Sequence, residues 1–203
     1  MFQLFQIIVL IFSAIFHEYM HGWMADRLGD TTAKDSGRLT LNPLPHIDPF
    51  GSILLPMFFI ISGSSFVLGW AKPVPFNPYN LSDQKYGSAK VALAGPLGNL
   101  SLALFFGLIL RFGGNWLAFY NETILSLLAI VVYINLLLMV FNLMPVPPMD
   151  GSKILEPFLP YSWRARFASL DRYGMIFVLI FVILGFSIIV WPITDFLFNL
   201  IVG

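Results

Sequence analysis

Long apolar runs alternate with short polar, proline-rich segments along this chain. Residues 2–23, 91–112, 123–143 and 175–191 are each nearly free of charge. Their lengths lie near the roughly 20 residues that cross a bilayer as a helix. The first run starts at the initial methionine, with no basic stretch before it and no small-residue cleavage site after it. It is therefore expected to be retained as a span. Residues 51–70 are also apolar, but Pro56 and Gly63-Ser64-Ser65 interrupt them. An interrupted run of this kind suits a re-entrant element. The apolar tail 193–202 is expected to continue the fourth span beyond a kink at Pro192.

The polar segments carry their own signals. Residues 37–43 alternate polar and apolar positions and stop at Asn42-Pro43, which predicts a short strand or hairpin. Residues 71–80 contain Pro73, Pro75 and Pro78 and must be extended. Residues 151–172 are amphipathic and carry Lys153, Arg164, Arg166 and Arg172. The pattern predicts an all-α polytopic membrane protein: about four full transmembrane helices, a re-entrant element at 51–70 and a short β-hairpin or strand. No internal repeat divides the chain, so residues 1–203 are expected to form a single domain.

Composition agrees. Of 203 residues, 58% are hydrophobic and 11% charged, with a mean hydropathy of +0.81. A soluble domain carries about 25% charged residues, so this chain lacks the polar groups to cover a water-facing surface. Disorder is excluded by the same apolar content. The formal net charge is zero and no basic block occurs, which argues against a nucleic-acid partner. With no cysteine, no disulfide or thiolate site is available.

Inside the first run lies His17-Glu18-Tyr19-Met20-His21. Histidines at i and i+4 stack on one helix face, so both imidazoles can reach one ion. Glu18 lies beside that face, in the position of a general base. This HExxH spacing supplies two ligands for one Zn2+ ion. A carboxylate within a span costs on the order of 3 kcal/mol on insertion scales, so its presence there points to function. If the span ends at Asp26, the ion lies roughly 8–14 Å below the membrane surface, at about 1.5 Å per residue. Zinc then needs a third protein ligand and an open position. His46, Asp48, Asp150 and Glu156 are the candidates, and Asp150 is best placed, because Pro145, Pro147 and Pro148 break the chain just before it. Irregular backbone at membrane depth must line a cavity. His46 reads more simply as a turn residue within Leu44-Pro45-His46-Ile47-Asp48-Pro49.

Five motifs occur in order: HExxH, Gly37-Arg38-Leu39-Thr40-Leu41-Asn42-Pro43, the 71–78 segment, Ala94-Gly95-Pro96-Leu97-Gly98-Asn99, and Asn142 to Gly151 as NxxPxPxxDG. Together they resemble the site-2 protease family of intramembrane zinc metalloproteases, over about residues 10–155. The resemblance implies that His17, His21 and Asp150 bind zinc and that Glu18 is the catalytic acid/base. It places Asn142 near the site, leaving Asn142, Asn99 and Pro148 as candidates for substrate binding or for holding an oxyanion. It also implies an edge strand or loop that holds substrate in extended form, for which residues 37–43 and 71–78 are available. The expected member is a compact, bacterial-type one, with no PDZ domain or CBS pair. Its substrates would be transmembrane proteins met within the lipid bilayer. Two other classes fit the composition: a membrane metal transporter, and a non-catalytic relative that binds transmembrane helices.

Topology is constrained separately. His21 and Asp150 can meet only if the chain crosses an even number of times between them. The runs at 91–112 and 123–143 make two crossings, so 51–70 cannot be a single one. With that arrangement ten of the eleven Lys and Arg residues share one side, and only Arg111 lies on the other. By the positive-inside rule the shared side is cytoplasmic. The expectation is a multi-pass cell-membrane protein whose site opens toward the cytoplasm.

Overall fold

The computed structural model describes residues 2–62 and 71–203, and the account that follows concerns those residues. Helix α1 spans Phe2–Arg27. Gly29 ends it, adopting φ +100°. Asp30 N donates to Ala25 O at 2.9 Å and Gly29 N to Asp26 O at 3.1 Å. This is the Schellman closure, in which a left-handed residue satisfies the last carbonyls. A single turn α2 (Thr32–Asp35) follows. Residues 37–43 then form bends, and no strand occurs among the described residues. The expected hairpin there is not formed: Thr40 O is taken by the His46 ring at 2.8 Å, and Asn42 folds back on Leu44 N at 3.1 Å. Local side-chain bonds of this kind compete with a β ladder.

Asp48 caps the next element, accepting from Phe50 N and Gly51 N. A π-helical stretch (Pro49–Leu54) leads into α3 (Leu55–Ile61). These apolar turns are shorter than a bilayer crossing. The remainder of the expected re-entrant element, including Gly63-Ser64-Ser65, lies outside the described residues.

Three helices are long and apolar enough to span a membrane: α1, α4 (Gly87–Tyr120) over Gly87–Gly114, and α5 (Glu122–Asn142). Beyond α6 (Asp150–Leu155) and α7 (Tyr161–Ser169) comes a bent pair, α8 (Gly174–Leu184) and α9 (Trp191–Val202). The pair bends by 55° at Gly185 and makes a fourth crossing if taken as one span. The kink therefore precedes Pro192, which was expected to cause it. Pro192 sits in the first turn of α9, directly after a π-helical turn. The π-helical turn Phe186–Val190 links the bend to α9.

The core sits between α4, α5 and the tail. Ala103, Leu110, Val132, Leu136, Met139, Val140 and Val190 are its buried members. Lipid offers no hydrophobic driving force between helices, so close van der Waals approach must hold them together. Small residues at the crossings permit it. Gly98 admits Met20 and Phe16 of α1, and Gly107 admits Ile201 of α9. Leu4, Phe12, Phe105, Ile183 and Ile188 face outward, as lipid-contacting side chains do.

Candidate metal centre

His17 and His21 leave α1 on one face, toward the first third of α4 and the start of α6. His17 Nε2 lies 2.9 Å from Asp150 Oδ2, His21 Nε2 lies 3.2 Å from the same oxygen, and the two Nε2 atoms are 3.0 Å apart. Among the described residues these three form the group whose donor atoms could share an ion.

The chain around Asp150 is arranged for this meeting. Helix α5 ends at Asn142, and the proline-rich turn reverses into α6 with Asp150 as its first residue. Gly151 makes the reversal possible, since a Cβ there would collide with the Leu143 and Met144 carbonyl oxygens. Asp150 and Met149 are buried, and Ser152 Oγ closes the turn by donating to Met149 O at 2.7 Å.

The proton positions on the two imidazoles follow from their partners. His21 Nδ1 is 2.7 Å from Val91 O, which can only accept, so Nδ1 carries the proton. His17 Nδ1 is 2.6 Å from Asn99 Oδ1 and donates to it. Both Nε2 atoms are then bare lone pairs facing each other and a carboxylate oxygen. Three acceptors crowded at this distance repel one another unless a cation lies between them. This donor set, two imidazoles and one carboxylate, is the one zinc favours. Gly95 adds a second sign of a reserved space. A Cβ on it would lie 2.6 Å from each Nε2, so any side chain would fill the volume in front of the ligands.

Glu18 is half-buried, and its Oε2 accepts from Val74 N at 2.8 Å. Val74 belongs to the extended 71–78 segment, which crosses over α1. That segment is pinned along its length: Lys72 N donates to His46 O at 2.8 Å, Arg38 Nη1 to Pro73 O at 2.7 Å, and Asn77 N to Asp30 Oδ2 at 2.6 Å. Asp30, fully buried just after α1, also accepts from Thr32 and Asn80. Burial would raise its carboxyl pKa, but these hydrogen bonds outweigh it and hold the group below the usual carboxylate range.

The other candidates lie elsewhere. His46 is buried and bonds to Thr40 O, organising the loop. Asp48 is a helix cap, and Glu156 begins a separate 3-10 turn. Asn142 donates to Leu138 O of its own helix at 2.9 Å. Pro148 is exposed, and its ring packs at Gly174, the start of α8. Asn99 is completely buried, and its amide is engaged by His17, Ser13 O and Asn135. Its side chain is fully engaged within the protein, with His17 as its neighbour at the candidate metal centre. The motifs did not point to Ser13, Asn135, Val91 or Val74. A signal existed for Asn135: it is a lone amide amid the apolar 123–143 run, where an unexplained polar side chain is costly.

Comparison with known proteins adds the lineage. The family model for "Peptidase family M50" matches residues 115–186. "Putative zinc metalloprotease YwhC" of Bacillus subtilis is 39% identical over 191 residues, covering 92% of this chain and 84% of that protein. "Putative zinc metalloprotease Rip2" of Mycolicibacterium smegmatis is 32% identical over 85% of this chain, which spans 64% of Rip2. "Putative zinc metalloprotease MJ0611" of Methanocaldococcus jannaschii is 32% identical, covering 78% of this chain and 76% of that protein. No solved structure matches. With one relative this similar along nearly its whole length, the chain belongs to peptidase family M50, the site-2 protease family.

Proposed function

We propose that the protein is a zinc-dependent intramembrane endopeptidase that hydrolyses peptide bonds in or beside the transmembrane segments of membrane proteins. The observation that carries this reading is the convergence of three lone-pair donors, from His17, His21 and Asp150, in front of the bare backbone of Gly95. The zinc in the relatives' names fits that donor set and would be held by those three side chains.

When bound, zinc supplies Lewis acidity toward the scissile carbonyl and makes water more acidic. Glu18, next to His17 on α1, takes the proton from the attacking water. The water oxygen bonds to the carbonyl carbon, the C–N bond breaks, and Glu18 returns the proton to the leaving amine. The Val74 N–H binds Oε2 and orients the carboxylate, leaving its second oxygen to act. Asn142, at the end of α5, is the side chain available to bind substrate backbone once it releases Leu138 O.

Replacing Glu18 with Gln separates binding from chemistry. Purified Glu18→Gln protein should bind zinc as the wild type does. It should cleave a single-span substrate about 10²–10⁴-fold more slowly, the usual worth of a general base. Cleavage at the wild-type rate would remove Glu18 from the mechanism. A protein that moves zinc across vesicles and cleaves nothing would instead be the transporter.

The site is proposed to open toward the cytoplasm. Ten of the eleven basic residues lie on that side in the charge reading. Arg111, the exception, lies at the far end of α4 and donates to Leu200 O at 2.7 Å, putting the end of α9 at the opposite face from the metal centre. A reporter joined after Gly203 should therefore be found outside the cytoplasm, and a cytoplasmic reporter would reverse the orientation.

A further inference from the structure

His17 does not choose its own tautomer. Its Nδ1 faces Asn99 Oδ1, and an amide can be turned so that either its oxygen or its nitrogen lies there. Which one does is decided by groups that cannot be turned. Asn99 Nδ2 lies 3.2 Å from Ser13 O, a backbone carbonyl that can only accept. The second Nδ2 proton goes to Asn135 Oδ1 at 2.9 Å. The Asn135 amide is fixed in turn by Val131 O at 2.9 Å, again a pure acceptor, and by Ser13 Oγ at 3.0 Å. Two carbonyls on different helices thus impose the same direction on the chain of bonds. Donation runs from Asn135 to Ser13 Oγ and Val131 O, from Asn99 to Asn135, and from His17 to Asn99.

Its surroundings make this chain sensitive. Asn99 and Asn135 are fully buried and Ser13 nearly so. Ser13 and Asn135 also border a cavity of about 520 Å³ whose other lining side chains are all apolar, including Val9, Phe12 and Phe106. That apolar lining offers no polar group to replace a lost partner.

We infer that Ser13, Asn135 and Asn99 form a directional hydrogen-bond relay that positions His17 as a metal ligand, holding the proton on Nδ1 and the lone pair on Nε2. Ser13 and Asn135 are positioning residues that touch neither metal nor substrate. The inference rests on the zinc reading above and adds residues to it. Outer partners of this kind commonly change metal affinity by about 10–100-fold.

The test compares nearly isosteric variants of the purified, detergent-solubilised protein. Zinc affinity is measured by competition with a chelator, and the ligand field by the visible spectrum of the cobalt-loaded protein. Asn99→Leu removes the acceptor and should weaken zinc binding by about 10–100-fold and alter the cobalt spectrum. Asn99→Asp keeps an acceptor toward His17 but sets its second oxygen against Ser13 O and Asn135 Oδ1, so it should bind zinc less tightly than the wild type and more tightly than Asn99→Leu. Asn135→Leu should weaken zinc binding measurably. Asn135→Asp still accepts from Asn99 and can accept from the Ser13 hydroxyl but loses the bond to Val131 O, so it should weaken zinc binding less than Asn135→Leu does. A packing role predicts the reverse order, because leucine fills the space and a buried carboxylate is costly. The relay is overturned if the leucine variants bind zinc like the wild type, or if the aspartate variants bind it worse than the leucine ones. If Asn99→Leu does not fold, the Asn135 pair decides alone. Failure of the wild type to bind zinc would overturn the functional reading itself, whereas normal wild-type binding without the Leu/Asp contrast would overturn only the relay.

Discussion

The two sides of the metal centre are built by different means. On the helical side, His17 is oriented by side-chain amides from α4 and α5. On the cover side, Glu18 is held by the main chain of the extended 71–78 segment. The difference follows from where free hydrogen-bonding groups exist. An α-helix consumes its own N–H and C=O groups within four residues, so a ligand packed among helices must find side-chain partners. Val91 O is the instructive exception. It is a helix carbonyl that also reaches the His21 ring, at 2.7 Å from Nδ1. An extended segment has the opposite character, since its main-chain groups are free. With proline at positions 73 and 75, the Val74 N–H is the single donor between two residues that have none, and it points at Glu18.

This contrast can be broken from either side. The largest effect is expected at Gly95→Ala, whose methyl would meet His21 Cε1 at 2.5 Å and both Nε2 atoms at 2.6 Å. Zinc affinity should fall by more than about 100-fold, beyond the range of an outer-partner change. Chelator competition would reveal this, and unchanged affinity would mean that the ion is held elsewhere. A smaller effect is expected on the cover side. Val74→Pro deletes the donor to Glu18 and leaves the ligands untouched, so zinc affinity should stay at the wild-type value. The value of kcat/KM should drop by about 10-fold or more, the worth of one hydrogen bond to a charged group. Faster cleavage by Val74→Pro would show that the segment restrains Glu18 instead of readying it.

Much of the site was legible before folding was considered. The i, i+4 spacing of His17 and His21 places both on one face of any helix, and the two apolar runs at 91–112 and 123–143 return the chain to the same side before Asp150. The proline pattern at 71–78 required extended chain, and the structure has it. The hairpin expected at 37–43 failed because alternation only marks a segment able to pair. Here the free groups of that segment bond locally to His46 and Asn42. The kink assigned to Pro192 falls earlier, at Gly185, ahead of the π-helical turn that leads into α9.

The sequence by itself determined the membrane setting and pointed to the side chains proposed as metal ligands and general base, because each depends on local spacing or on composition. Tertiary structure alone decided which nitrogen of each imidazole bears the proton. It also decided which glycine leaves room for the ion and which main-chain N–H meets Glu18. Those choices join residues 56 to 122 positions apart, Glu18 with Val74 and Ser13 with Asn135 among them. No local pattern encodes a hydrogen bond between helices whose relative position is set only once they pack.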